Sequence, residues 1–197
     1  MKKIIILISA LLLLTFVSCS DKPEEQPKNK YGLTSEEEAL TNLVAEESVA
    51  CYYSLLTEDG FGNYILAFPA EWREGYQAEL EYDDETFDEA IKFATETLHT
   101  QRDEDYGGNE YHIEYTFKGE RKIEEAELKN LIKELVDFCY MSKDSILGMK
   151  AQTYTVHTYA VANDGTYVNE QFVDEELYFV EVKDEGWYVS PHEFKLP

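Results

Sequence analysis

"YGGNEYHIEYTF" (residues 106–117) is where the hydrophobic period of the chain changes. Before it, apolar residues recur every three or four positions. Within it, Tyr111, Ile113, Tyr115 and Phe117 alternate with His112, Glu114 and Thr116. Such alternation marks a strand with one buried face, because successive side chains point to opposite sides of the pleat. The turn residues Tyr106-Gly107-Gly108-Asn109 separate the two regimes. The stretch thus divides a helical front from a β-rich back.

Working back from it, Asp83 and Asp84 cap a helix that places Phe87, Ile91, Ala94 and Leu98 on one face. Pro69 fits the first position of the helix before that, about 70–80. A short helical piece is expected from Asn63 to Phe68. The first helix opens with a capping box, Thr34 to Glu37, and carries Leu40, Leu43, Val44, Cys51, Tyr52, Leu55 and Leu56 at helical spacing. Asp59-Gly60 is expected to stop it. Working forward, Leu128, Leu131, Ile132, Leu135, Phe138 and Cys139 return to helical spacing over 123–142. Residues 149–162 read as a strand, Asn163-Asp164-Gly165 as a hairpin turn, and about 166–182 as the return strand. Asp184-Glu185-Gly186 turns into a last short strand at Trp187-Tyr188-Val189.

Helices, one strand, a helix and an antiparallel meander predict an α+β, cone-shaped fold with helices packed on one face of a curved antiparallel sheet. This order, with "DGFGNYILAFP" (59–69), "YGGNEYHIEYTF" (106–117) and "VKDEGWYVS" (182–190), resembles the nuclear-transport-factor-2-like, cystatin-like domains found in bacterial lipoproteins. The resemblance implies a single domain over 31–197 and a cavity between the first helices and the sheet. It does not choose a function, since such domains include enzymes, binding proteins and inert scaffolds.

The front end supplies an address. Met1, Lys2 and Lys3 precede an apolar run from Ile4 to Val17, somewhat short for a membrane span, so residues 1–18 read as a cleaved signal peptide. Phe16-Val17-Ser18-Cys19 resembles the lipobox of bacterial lipoproteins. That resemblance implies a diacylglycerol on Cys19, with palmitate-type chains, and a location at the extracytoplasmic face of the cell membrane. Two acyl chains suffice for stable anchoring where one does not. Residues 19–30 then form a tether rich in proline, charge and amide, too poor in apolar groups to fold.

Composition narrows the partners. The chain has 41 acidic against 17 basic residues, a net charge of −24. Two of the basic residues fall in the leader, so the remainder is more acidic still. Such a surface repels nucleic acid and anionic lipid, leaving the lipid anchor as the expected membrane contact. A protein or small-molecule ligand in the envelope is the expected partner.

No catalytic signature stands out. His112, Glu114 and His157 are the candidate acid–base groups, but the larger apolar set on the other face of the first strand should turn His112 and Glu114 to solvent. "DEDYGGNEYHIE" (103–114) sets Asp103, Asp105, Gly108 and Glu114 at EF-hand spacing, yet Gly107 fills a ligand place and a strand follows where a helix should. His99, His112, His157 and His192 lack a zinc-ligand spacing. No cofactor or metal is therefore expected. Cys51 and Cys139 leave two readings open: a disulfide stabilising by about 4–5 kcal/mol, or two small buried hydrophobes. Of the 15 tyrosines, Tyr111, Tyr115, Tyr154, Tyr159, Tyr167, Tyr178 and Tyr188 fall on predicted strands, where cross-strand packing is the expected role. The resulting expectation is a membrane-anchored, non-catalytic binding or scaffolding module, the alternative being a small-molecule pocket protein or enzyme of the same fold.

Overall fold

The computed structural model describes residues 45–55, 57 and 60–194. The expected signal peptide (1–18), Cys19 with the expected tether (19–30), and the expected Thr34 capping box lie outside the described residues. The described chain is α+β. Four antiparallel strands, in the order β1-β2-β3-β4, curl into a half-barrel with helices beside it.

The helical front comes first. Residues 45–52 are helical (α1) and bury Ala45, Ser48, Val49 and Tyr52, one face at three- and four-residue spacing. The helix ends at Tyr52. Gly60 therefore does not stop it; with φ of +51°, it opens the next helix, α2 (Gly60–Tyr64). That helix tightens into a 3₁₀ turn at Ile65–Ala67, so the short helical piece begins three residues before Asn63. Pro69 stands at the N-cap of α3 (Ala70–Glu79), one place before the position expected for it. Asp83 caps α4 (Asp84–Tyr106) by accepting the Thr86 N–H at 2.9 Å, and Asp84 and Glu85 in the first turn favour its positive end. Gly107, left-handed at φ of +64°, closes α4. Phe87, Ile91 and Ala94 pack on the core and Leu98 is buried, as their spacing requires.

The sheet follows. β1 (Glu110–Arg121) pairs with β2 (Ile146–Val161), β2 with β3 (Tyr167–Val182), and β3 with β4 (Gly186–Val189). α5 (Glu125–Phe138) bridges β1 and β2, and is shorter than its hydrophobic pattern suggests because Cys139 and Tyr140 leave helical geometry. Its start is tied down by Arg121, whose guanidinium forks onto Glu127 and Glu176 at 2.7–3.0 Å. The 162–166 turn is built by Gly165, at φ of +81°, and by the Asp164 carboxylate, which accepts from Thr166 N and Oγ1.

Two devices join helices to sheet. Ser48 Oγ donates to Ala67 O at 2.6 Å and accepts from Val189 N at 2.7 Å, linking α1, the 3₁₀ turn and β4 in the interior. Phe194, beyond β4, touches the rings of Phe61, Tyr64, Phe68, Trp72 and Tyr76, with centroids 4.7–6.2 Å apart. Aromatic pairs of this kind contribute about 0.5–1.5 kcal/mol each beyond the area they bury. Among the described residues no helix is long and apolar enough to cross a membrane.

Candidate functional site

The residues that announced the first strand also frame the site. Tyr111, Ile113, Tyr115 and Phe117 share the sheet face that meets α1, where Tyr115 stacks on Tyr53 at 4.8 Å. Tyr111 and Ile113 are half-buried, but Tyr115 and Phe117 remain 38% and 54% exposed. Apolar side chains on the inward face that are not covered by packing must border a space. They do. A cavity of about 530 Å³ lies against Ala45, Glu46 and Val49 of α1, Tyr115 and Phe117 of β1, and Lys150, Gln152 and Tyr154 of β2. Its size falls within the range of small-molecule sites.

Its polar groups are held in place. Tyr154 OH donates to Gln152 Oε1 at 2.7 Å, and Gln152 Nε2 donates to Glu120 Oε2 at 3.0 Å, which fixes the amide. The same Glu120 oxygen lies 3.4 Å from Lys150 Nζ. The Lys150 ammonium also sits over the Trp187 ring, 4.5 Å from its centroid. Burial, then Tyr115, Glu120 and Glu46, push the Tyr154 phenol up to about 12, so it stays a hydrogen-bond donor. Burial, with Cys51 and Glu46 nearby, also raises the Tyr115 phenol. A smaller space of about 170 Å³, bordered by Tyr53, Tyr111, Ile113 and Glu175 among others, lies beside it; Tyr53 OH donates to Glu175 there at 3.1 Å.

The acid–base candidates gather on the opposite face. Glu114, His157 and Phe172 are direct cross-strand partners. His157 lies between two carboxylates, with Nδ1 3.4 Å from Glu114 and Nε2 3.0 Å from Glu170. Tyr159 OH donates to Glu114 at 2.9 Å, which, with His157, lowers the Glu114 carboxyl. The rings stack in a row, His112 on Tyr159 at 5.0 Å, Tyr159 on His157 at 4.5 Å, and His157 on Phe172 at 4.0 Å. Rings stacked this way cover one another's faces, so the row is cross-strand packing. The sequence places His112 and Glu114 away from the apolar face, and the structure agrees. It also brings His157 to them, a union that register alone creates.

The remaining candidates do not converge. Asp103 and Asp105 stand in the last turn of α4 and Glu114 on β1, so the EF-hand-like stretch is a helix end and a strand. Among the described residues, no three His, Cys, Asp or Glu side chains could hold a metal ion together. No disulfide joins Cys51 to Cys139; both are half-buried and pack on the core, and burial pushes the Cys139 thiol up to about 11. Lys150, Gln152 and Glu46 were not singled out by sequence. The signal available was Lys150 and Gln152 at alternate positions of a strand whose neighbouring inward residue, Tyr154, is aromatic.

No family model, no curated protein and no solved structure matches this chain.

Proposed function

We propose that the protein is an extracytoplasmic binding module, held at the cell membrane by a diacylglycerol on Cys19, whose ligand enters the cavity between α1 and the sheet. The supporting observation is the exposure of Tyr115 and Phe117 on a face that otherwise builds the core. Unfilled apolar surface costs stability, so a cavity with aromatic walls and fixed polar groups is better explained by a ligand than by packing. The groups around it are a lysine, an amide, a phenol and carboxylates. They suit holding a ligand, and the histidines that could move protons among the described strands lie across the sheet. The α+β cone-like arrangement supports the further proposal that the domain is nuclear-transport-factor-2-like.

The test is recovery of the chain from its native membrane, followed by mass spectrometry of what it releases on denaturation. A small molecule present in the wild type and lost from Tyr115→Ala/Phe117→Ala supports the reading. The same content from both proteins contradicts it. Cys19→Ser tests the anchor in the same preparation, because the variant is expected in the soluble fraction.

A further inference from the structure

The cavity has a charge and a shape that name a ligand class. Tyr154 forms one wall, with Tyr115 and Phe117 set against it at 76° and 65° and at centroid distances of 6.2 and 5.8 Å. Tyr53 covers one face of Tyr115 by stacking, and Tyr115 remains 38% exposed at the cavity. Three rings in edge contact at steep angles do not close into a stack, and an exposed ring face carries the negative end of the aromatic quadrupole.

The fixed charges add to this. The one cation among the described lining residues is Lys150, and it is already matched, by Glu120 at 3.4 Å and by its interaction with the buried Glu181. It also lies over the rings of Trp187 and Phe179, 4.5 and 6.0 Å from their centroids. Glu46 on the α1 rim is exposed and borders the cavity, with no cationic partner in contact among the described residues. A chain of net charge −24 surrounds the whole. An incoming anion would meet a neutralised lysine and an acidic rim, whereas an incoming cation is steered inward by the field and meets aromatic faces.

We propose that this cavity takes a small organic cation, an alkylated ammonium of roughly choline size, held by Tyr115, Phe117 and Tyr154 with Glu46 as its counter-charge. This rests on the reading of the cavity as the ligand site.

Calorimetric titration of the full chain in a maltoside detergent, whose headgroup carries no cation, tests it with three probes: choline, its uncharged carbon isostere 3,3-dimethyl-1-butanol, and acetate. Choline is expected to bind at least about tenfold more tightly than the isostere, and acetate not at all. Phe117→Leu keeps the apolar bulk and removes the quadrupole. It should weaken choline severalfold and by a larger factor than it weakens the isostere, while its melting temperature reports that the exposed position has not disturbed the fold. Equal binding of choline and isostere, preferred binding of acetate, or no response to choline each overturns the cation assignment. Failure of that assignment leaves the cavity itself to be judged by the co-purified molecule, so the two claims fall separately.

Discussion

Removing one hydroxyl, Ser48→Ala, should cost far more than a serine usually does. The Ser48 side chain is 3% exposed, and its two partners, Ala67 and Val189, are fully enclosed. Losing Oγ strands the Ala67 carbonyl and the Val189 N–H where water cannot replace the missing bonds. Each of the two stranded groups costs about 1–3 kcal/mol, so the variant should lose about 2–6 kcal/mol. Against a typical domain stability of about 5–15 kcal/mol, that is a third or so of the total. For a domain of this size the loss corresponds to a fall in melting temperature of about 4–24 °C. Urea denaturation of wild type and variant, followed by far-ultraviolet circular dichroism, measures it directly. Thr97→Ala is the control, since that hydroxyl bonds only to Phe93 O within its own exposed helix turn at 2.9 Å; it should change stability by less than about 0.5 kcal/mol. If Ser48→Ala matched the control, the three-way tie of α1 to turn and sheet would be refuted, and with it the fixed position of one cavity wall.

Other consequences follow from the same geometry. In an exposed helix Gly→Ala gains about 1 kcal/mol, but a Cβ at Gly75 would lie 2.2 Å from Tyr140 Cβ, so Gly75→Ala should lower the melting temperature. Adding Tyr140→Gly, at a residue with φ of +55°, should restore it; a stable single variant would refute the close approach. Glu181 is 2% exposed, one of its oxygens lacks a hydrogen-bond partner, and burial raises its carboxyl above 4.5. Its contribution to stability is therefore full below pH 4.5 and lost as pH rises through the raised folded value. Glu181→Gln, fixed in the neutral form, should melt higher than wild type at pH 7 and lose that advantage below 4.5; thermal scans at both pH values decide it.

The period change at 106–117 carried the fold into view because alternation and helical spacing are local properties, and both survived intact in α4, β1, β2 and β3. What sequence could not show is where the inward face runs out of packing partners. Tyr115 and Phe117 have the pattern of core residues, and their exposure is set by tertiary packing that the local pattern does not record. Similarly, Lys150 reads as an ordinary charged strand residue until Trp187, from a different strand, lies beneath it. His157 and Glu114 met because of the register of β1 on β2, while the Asn163–Gly165 turn and a bulge near Asn169 set the register of β2 on β3 that brings Phe172 to His157. The helix boundaries moved where backbone geometry overrode the apolar pattern, at Gly60 and at Tyr140.

The assignment of the cavity to an organic cation is tested most directly by a nuclear magnetic resonance titration of the isotope-labelled chain with choline. The account predicts shifts confined to Glu46, Tyr115, Phe117, Lys150, Gln152 and Tyr154, with His157 and Phe172 across the sheet unmoved. Shifts centred on His157 and Phe172, or a spectrum that does not change at all, would contradict it.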